Sequence, residues 1–352
     1  MKKKVAVAMS GGVDSSLCAA LLQEQGYEVL GITMRLSDDS REMNGVSSAA
    51  TDARRVADFL GIEHVVADFR TLFSDKVVDY FLTEYLTART PNPCVICNRF
   101  LKFGELLSFA REKGADFLAT GHYVRIEKEE DGSFALKKGR DEKKDQSYVL
   151  YRLPREILSH ILFPLGSYKK EETRALARKL SLPVANKAES QEICFVPEDD
   201  YKAYLSQHRP NRFRAGDIVD MQGQILGQHR GLPFYTIGQR KGLGIAAVHP
   251  LYVIALDEAN NRVIVGKNEE LYASSLFASD VNWLMEEPTR EISVHAKIRY
   301  GSREVQANVL PLKDRAVKVS FLEPQRAVTP GQSVVFYSGE RLVGGATIES
   351  RT

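Results

Sequence analysis

Three of the four cysteines stand in contexts where a thiol could do chemistry. Cys94 and Cys97 lie three residues apart in Pro-Asn-Pro-Cys-Val-Ile-Cys-Asn, and Cys194 follows much later in Ser-Gln-Glu-Ile-Cys-Phe. Spaced cysteines in a reducing compartment indicate metal or redox chemistry rather than a disulfide framework. A helix is expected over residues 98–113. It would place Cys97 near a helix N-terminus, where the dipole lowers a thiol pKa.

The segment Ser10-Gly11-Gly12-Val13-Asp14-Ser15-Ser16 is a second candidate site. Its glycines let backbone N–H groups approach a polyphosphate, its serine hydroxyls can donate to one, and a following helix N-terminus adds partial positive charge. Asp14 is a candidate ligand for a magnesium ion that bridges phosphates. The loop lacks the lysine of the kinase and GTPase pattern, so that template fits poorly. The structural alternative is a tight glycine turn capped by Ser or Asp.

Strands alternate with helices in the first part of the chain. Apolar runs predict strands over residues 5–9, 28–34, 64–68 and 117–120, and helical spacing predicts helices over residues 15–25 and 47–60. This order predicts an α/β fold with a doubly wound parallel sheet. In such sheets the ligand site lies at the carboxyl ends of the strands. The phosphate loop follows the first of these strands.

The pattern changes beyond about residue 200. Residues 252–256 and 262–266 flank a turn and predict a hairpin, and residues 317–321 alternate between apolar and polar. Short strands joined by turns predict a small β-barrel or sandwich. We therefore expect a catalytic domain over residues 1–200, a small central domain over 201–271 and a C-terminal β-barrel-like domain over 272–352.

Composition narrows the possible classes further. The formal net charge is only +2, so any nucleic-acid surface must be local, as in the basic run over residues 137–144. That run is either a solvated loop or a phosphate contact. No apolar run approaches the roughly 18 residues that a membrane span needs, and the N-terminal apolar stretch is too short for a signal peptide. A cytoplasmic protein without membrane association is expected, and Cys18, among small apolar residues, is expected to pack in a core.

Several motifs together resemble known families. The phosphate loop resembles the signature of the N-type ATP pyrophosphatases, which have an adenine nucleotide alpha hydrolase-like fold. Both cysteine segments, taken with that loop, resemble the tRNA-specific 2-thiouridylases. The segments over residues 144–148 and 235–244, the pair Arg299-Tyr300 and the triplet Pro330-Gly331-Gln332 also match that family in order along the chain.

The resemblance implies two sets of binding residues. ATP, with magnesium, would be bound by Ala8, Met9, Ser10, Gly11, Gly12, Val13, Asp14, Ser15, Met34 and Gly121. The tRNA would be contacted by Asn92, Pro93, Cys94, His122, Lys144, Asp145, Gln146, Arg299, Tyr300 and Gln332. For His122 a satisfied structural histidine is an equal alternative.

The resemblance also implies a mechanism. ATP would adenylate the C2 oxygen of the wobble uridine, which makes AMP the leaving group, and pyrophosphate would be the other product. Cys194 would carry sulfur as a persulfide received from a sulfur-donor protein, in a relay from a cysteine desulfurase. Cys97 would then attack the persulfide and leave a Cys97–Cys194 disulfide for a thiol reductant.

Cys94 departs from the family pattern, in which many members have Asp at this position. The role proposed for that carboxylate is therefore in doubt here. Cys94, Cys97 and Cys194 could instead hold a [4Fe–4S] cluster with one open iron, or zinc. Persulfide and cluster chemistry both remain open. A synthetase acting on a small molecule and an RNA-binding module with a structural metal are the competing classes. The first would not need the cysteines, and the second does not explain the phosphate loop.

Overall fold

The structure is a computed structural model that describes residues 2–37, 48–188 and 193–352. The chain forms two compact units, each assembled from separate chain segments. The first comprises Met1–Val77, Cys94–Gln191 and Gly339–Val343, and the second comprises Val78–Pro93, Glu192–Ser338 and Gly344–Thr352.

A five-stranded parallel sheet forms the centre of the first unit. Its strands are β1 (Lys4–Ala8), β2 (Glu28–Arg35), β3 (Glu63–Asp68), β4 (Phe117–Ala119) and β7 (Ile161–Leu162), arranged in the order β3-β2-β1-β4-β7. The chain moves from β1 to one side of the sheet and later returns to its other side. The strand order therefore reverses between β1 and β4, and in sheets of this kind the ligand site lies at the carboxyl ends of the two strands at this switch point.

Helices and one hairpin complete the first unit. The helices are α1 (Val13–Glu24), α2 (Ser48–Leu60), α3 (Arg70–Phe73), α5 (Pro93–Ile96), α6 (Leu106–Glu112) and α7 (Lys170–Lys179), with π-helical turns at Ser74–Val78 and Cys97–Glu105 and 3₁₀ turns at Ser147–Leu150 and Arg155–His160. The hairpin consists of β5 (Val124–Lys128) and β6 (Phe134–Lys138), and Arg341 pairs with Lys137 at its edge.

The limits of helix α1 were predicted more closely than the start of the helix that carries Cys94 and Cys97. We call the latter the cysteine helix. Helix α1 lies close to its expected limits and is almost entirely buried, and Cys18 is 0% exposed within it, so the core position expected for this residue is confirmed. The cysteine helix runs without a break from Pro93 to Glu112 through α5, the π-helical turn and α6. It begins five residues earlier than expected, because proline is tolerated at the first position of a helix.

The second unit begins with a small mixed sheet and two helices. The sheet contains β8 (Gly216–Val219), β9 (Ile225–His229), β10 (Tyr252–Asp257) and β11 (Arg262–Gly266), in the order β10-β11-β8-β9. The hairpin expected from β10 and β11 is confirmed. Helices α4 (Asp79–Leu86) and α8 (Tyr201–His208) share an apolar cluster, and short 3₁₀ turns occur at Pro197–Asp199, Leu232–Phe234 and Asn268–Leu271.

Six strands form a closed barrel, and all but the first residues of the last strand belong to the second unit. The strands are β12 (Tyr272–Trp283), β13 (Ile292–Lys297), β14 (Val305–Pro311), β15 (Val317–Arg326), β16 (Ser333–Ser338) and β17 (Arg341–Arg351). Their order is β12-β15-β14-β13-β16-β17, and pairing between β12 and β17 closes the barrel. Alternate residues of β15 from Val317 to Phe321 are buried, as the sequence pattern predicts. The expected doubly wound sheet, small central domain and C-terminal barrel are thus confirmed. Among the described residues, no helix combines the length and apolarity of a membrane span.

The buried thiol of Cys18 gives a stability prediction. Because its neighbours are apolar, Cys18→Ser places a hydroxyl where water cannot reach it, and we expect unfolding in urea to require about 1–2 kcal/mol less free energy. The matched control is Cys94→Ser, whose side chain is exposed and whose stability should change by less than about 0.5 kcal/mol. Equal effects of the two substitutions would contradict the packing assigned to Cys18.

Candidate active site

The phosphate loop lies at the point where the strand order reverses. Residues 9–12 connect β1 to α1, and Gly11 has a φ of +67°. A Cβ at Gly11 would stand 2.5 Å from the carbonyl oxygen of Ala49, so only glycine fits here. The N-cap of α1 is Gly12, which has no side chain to occupy the first amides of the helix. Those amides and the helix dipole suit an anion.

The serine hydroxyls of the loop stabilise the loop itself. Ser16 Oγ donates to the carbonyl oxygen of Gly12 at 2.8 Å, and Ser15 Oγ donates to the same atom at 3.2 Å. The sequence led us to expect both hydroxyls on the phosphates. In the structure the backbone amides are therefore the better candidates for phosphate donors.

The carboxylate of Asp14 forms an ion pair with a lysine that lies far along the chain. Lys170, the first residue of α7, is 9% exposed, and its Nζ donates to both carboxylate oxygens at 2.7 and 2.8 Å. The hydroxyl of Tyr123 donates to Asp14 Oδ1 at 2.8 Å. A carboxylate held by an ammonium group and a phenol does not fit a direct magnesium ligand, so the magnesium site predicted at Asp14 is not supported by this geometry.

A second distant lysine holds the glycine turn. Lys187 Nζ donates to the carbonyl oxygen of Gly11 at 3.1 Å and to Asp52 Oδ2 at 2.7 Å. In a trans peptide the C=O of one residue and the N–H of the next point in opposite directions. Fixing the carbonyl of Gly11 therefore also fixes the direction of the Gly12 N–H.

Neither lysine was recognised from the sequence. Lys170 lies 156 residues from Asp14 and Lys187 lies 176 residues from Gly11, so no local spacing links them to the loop. The loop lacks the lysine of the kinase pattern, and the fold brings two lysines to it from elsewhere in the chain.

The other nucleotide residues predicted from the resemblance flank the loop. Gly121 follows β4, and a Cβ there would stand 3.0 Å from backbone atoms of Asp14 and Ser15, which explains the glycine. Ala8 pairs with Ile32 of β2 at the end of β1. Met34 lies near the carboxyl end of β2, at the same edge of the sheet as the loop. A contact between Met34 and adenine stays a prediction.

The cysteine helix gives its two thiols different surroundings. Cys97 is 9% exposed, and burial raises the pKa of its thiol, with Lys102 opposing this shift and Cys94 adding to it. The expectation that the helix dipole lowers this pKa is wrong, because the helix begins at Pro93 and Cys97 lies in its second turn. Cys94 is exposed, but the protein atoms around its thiol still raise its pKa by burial. The charge of Lys102 opposes this shift, as it does at Cys97.

Asn98, the residue after Cys97, contacts the residue that follows the predicted tRNA-contacting segment over residues 144–148. Its Nδ2 donates to the carbonyl oxygen of Val149 at 3.1 Å, while its Oδ1 is buried without a hydrogen-bond partner among the described residues. Asp145 Oδ1 accepts from the N–H of Ser147, and Gln146 Oε1 accepts from the N–H of Tyr123. The side chains of Asp145 and Gln146 thus shape this turn, and their contacts with tRNA remain predictions, as does that of Lys144.

His122 is a buried residue. Its Nδ1 lies 2.7 Å from Thr120 Oγ1, and its ring contacts Phe103 and Phe163 with centroids 5.9 Å apart in both cases. Burial, reinforced by the nearby charge of Lys102, holds its pKa well below the usual range. Of the two alternatives left open by the sequence, this environment favours the neutral, structural histidine over an RNA contact.

Cys194 lies in the second unit, in a turn anchored on both sides. Ile193 and Phe195 pack against the apolar cluster of α4 and α8, whereas Cys194 itself is exposed. The Phe195 ring meets Phe81 edge to face at 5.2 Å. Burial and then the charge of Cys194 raise the pKa of Tyr204. Ser190, Gln191 and Glu192, which complete the motif, lie outside the described residues.

The predicted C-terminal RNA residues also lie in the second unit. Tyr300 is exposed with Lys297 Nζ at 5.8 Å from its ring centre, and Arg299 Nη2 donates to the carbonyl oxygen of Arg326 at 3.1 Å. Gln332 Nε2 donates to the carbonyl oxygens of Thr90 and Pro91 at 3.0 and 3.1 Å. Thr90 and Pro91 lead directly into Asn92 and the cysteine helix.

A glycine loop at the switch point of a parallel sheet defines a nucleotide-binding α/β domain, here continued by a mixed sheet and a closed barrel. Family models match all three parts. Residues 3–198 match the tRNA methyl transferase HUP domain, residues 202–267 the tRNA methyl transferase PRC-barrel domain and residues 273–348 the aminomethyltransferase beta-barrel domain.

Curated relatives match the chain over its whole length. It is 52% identical to tRNA-specific 2-thiouridylase MnmA 1 of Caldanaerobacter subterraneus subsp. tengcongensis, over 100% of this chain and 99% of the relative. It is 52% identical to the MnmA protein of Carboxydothermus hydrogenoformans, over 99% and 98%, and 47% identical to that of Clostridium acetobutylicum, over 99% and 100%. The chain belongs to the tRNA-specific 2-thiouridylase family.

The raised pKa of Cys97 predicts how its alkylation depends on pH. The thiolate is the reactive form, so the rate should reach half its maximum above the ordinary thiol value of about 8.5. Lys102 lowers this pKa, so Lys102→Met should shift the midpoint further upward and slow alkylation at pH 8. Peptide-resolved mass spectrometry measures the rate. Lys113→Met, an exposed lysine just after the same helix, is the control and should leave the midpoint unchanged. A midpoint below 8.5 in the unaltered protein would refute the assignment.

Proposed function

We propose that the protein is an ATP-dependent tRNA-uridine 2-sulfurtransferase that forms 2-thiouridine at the wobble position, acting in the cytoplasm. The observation that carries this proposal is the family membership over the entire chain, which includes the phosphate loop and all three candidate cysteines. The loop and the cysteines have distinct tasks, since one activates an oxygen and the others deliver sulfur.

The loop supports activation of the uridine. The C2 oxygen attacks the α-phosphorus of ATP, the bond to the β-phosphate breaks, and pyrophosphate leaves. The amides at the start of α1 suit the phosphates, Lys187 fixes the direction of the Gly12 N–H, and Lys170 with Asp14 adds a rigid ion pair beside the first helical turn. Magnesium would accompany ATP as a phosphate-bound ion, and Asp14 orients Lys170.

The cysteines divide the sulfur chemistry by their exposure. Cys194, being exposed, suits reception of a sulfane sulfur atom from a donor protein, such as a relay that begins at a cysteine desulfurase. The terminal persulfide sulfur then attacks C2 and AMP leaves. The buried Cys97 attacks Sγ of Cys194, the S–S bond to the transferred sulfur breaks, and a disulfide forms. A thiol reductant restores both cysteines, and the chemistry requires the two thiols to meet during the cycle.

A [4Fe–4S] cluster is the second candidate for the sulfur carrier. Cys94 and Cys97 are three residues apart on one helix, which suits a pair of ligands on one face. Within the described part of the chain, no group of three or more His, Cys, Asp or Glu side chains is arranged to hold a metal. The residues present do not complete the ligand set, so we derive no step through a cluster.

Local charge supports tRNA as the substrate. The central domain, residues 201–271, contains nine Lys and Arg against six Asp and Glu, whereas the whole chain has a formal net charge of only +2. Such an excess favours contact with a phosphate backbone. The basic run over residues 137–144 is partly neutralised, because Lys137 pairs with Glu127 and Arg140 pairs with Glu172. We therefore assign most of the backbone contacts to the central domain.

Nucleoside mass spectrometry tests the activity directly. Transfer RNA incubated with the enzyme, ATP and a persulfide donor should gain 2-thiouridine, and AMP and pyrophosphate should appear only when tRNA is present. Cys194→Ala should abolish the product, whereas Ser206→Ala, a change on the exposed face of α8, should not. Product formation by Cys194→Ala would rule out the persulfide route. AMP release without tRNA would instead favour a small-molecule synthetase.

The same preparation tests the cluster. Protein purified anaerobically should be colourless, free of iron and still active if Cys194 carries the sulfur as a persulfide. Activity that depends on bound iron and sulfide would establish the cluster instead.

The lysine that holds the glycine turn gives a separate prediction about ATP. Lys187→Met removes a charge-assisted hydrogen bond worth about 1.5–3 kcal/mol, so the KM for ATP should rise about tenfold or more. Affinity for tRNA should not change. Lys179→Met, at the exposed end of α7, is the control. An unchanged KM for ATP would show that Lys187 does not order the phosphate loop.

A further inference from the structure

The segment before the cysteine helix is held by one corner of the barrel. We call this contact the Thr90 clamp, formed by Thr90 and Pro91 on one side and by Pro330, Gly331 and Gln332 on the other. The N–H of Thr90 donates to the carbonyl oxygen of Pro330 at 2.9 Å. Gln332 Nε2 donates to the carbonyl oxygens of Thr90 and Pro91. All these residues belong to the second unit.

Gly331 shows how closely the two sides approach. A Cβ at this position would lie 2.8 Å from the carbonyl oxygen of Thr90 and 2.9 Å from its nitrogen, and the φ of Gly331 is +86°. The backbone contact therefore requires glycine. The N–H of Gly331 donates to the carbonyl oxygen of Ile348 in the barrel at 2.9 Å.

Arg89 adds an ionic anchor next to the clamp. Its guanidinium donates to Glu84 Oε2 at 2.9 Å and to Glu349 Oε2 at 2.6 Å, so that it bridges α4 and the last barrel strand. Burial lowers the pKa of Arg89, but the two carboxylates outweigh burial and hold it above the usual range. The guanidinium is fixed in place by two acidic partners.

The sequence beyond the clamp passes the restraint along the chain. Asn92 lies between Pro91 and Pro93, and a residue before proline is confined to extended conformations. Proline itself fixes φ near −65°. Once Thr90 and Pro91 are held, few backbone rotations remain before the cysteine helix begins at Pro93.

We propose that Gln332 is a positioning residue, which fixes the segment leading into Cys94 and Cys97 by binding the carbonyl oxygens of Thr90 and Pro91. Family resemblance alone suggested that Gln332 meets the RNA. In the structure both hydrogen bonds of its amide nitrogen go to backbone carbonyls. The barrel thus has a part in ordering the segment that ends where the cysteine helix begins. Its effect on thiolation rests on the function proposed above, whereas its effect on thiol access does not.

Gln332→Met tests the assignment, because methionine keeps the length of the side chain and removes its donors. Alkylation of the buried Cys97, followed in the full-length protein without tRNA, should become about tenfold faster as the loss of two hydrogen bonds loosens the segment. Single-turnover thiolation should slow by about the same factor, and the Kd for tRNA should stay within about twofold. Gln325→Met, which removes a similar amide-to-carbonyl bond elsewhere in the barrel, should change none of the three.

Each alternative outcome has a defined meaning. Weaker tRNA binding with unchanged alkylation would overturn the proposal and assign Gln332 to the RNA. No change in any measurement would overturn it as well. If Gln332→Met speeds alkylation but the unaltered protein forms no 2-thiouridine, the assignment of the clamp stands and the proposed function is rejected. If Gln332→Met does not fold, Gly331→Ala, which presses on Thr90 from the other side, should also speed alkylation, and an unchanged rate there would refute the clamp.

Discussion

The carbonyl oxygen of Gly11 is bound by a lysine that the chain supplies 176 residues later. This contact sets the direction of the adjacent amide, and the rest of the nucleotide site depends on that direction. A glycine turn without an anchor samples many conformations, because glycine restricts its backbone so little. The parallel sheet places the turn at its switch point, and the two lysines hold it there. Sheet order and loop geometry are therefore parts of one arrangement.

The same unit contains an ion pair at the phosphate loop and, apart from it, a buried thiol on the cysteine helix. At the loop, Lys170 and Asp14 neutralise each other over less than 3 Å, which keeps a buried ammonium group compatible with the fold. On the cysteine helix, burial opposes ionisation of Cys97 while Lys102 favours it. A thiol with a raised pKa stays protonated at neutral pH, and this slows its oxidation. Cys194 has the opposite character, because its side chain is exposed.

The sequence predicted those features that follow from local pattern. The strand and helix order, the glycine turn, the β10–β11 hairpin and the alternation in β15 all depend on residues close together in the chain. What it missed depends on long-range contacts. Lys170 and Lys187 reach the loop only through the fold, and the sign of the Cys97 pKa shift depends on burial by distant residues. Gln332 was noticed by resemblance, but its binding of Thr90 and Pro91 appears only in three dimensions.

The last barrel strand has a consequence for modularity. Its first residues, 341–343, belong to the unit of the parallel sheet, where Arg341 pairs with Lys137 and binds Glu129, and its remaining residues close the barrel. Each unit is made of three chain pieces, so no single cut in the chain yields either unit whole. Exchange of one part by recombination would have to replace the final strand as well. This interleaving favours inheritance of the chain as one piece, in keeping with its match to relatives from end to end.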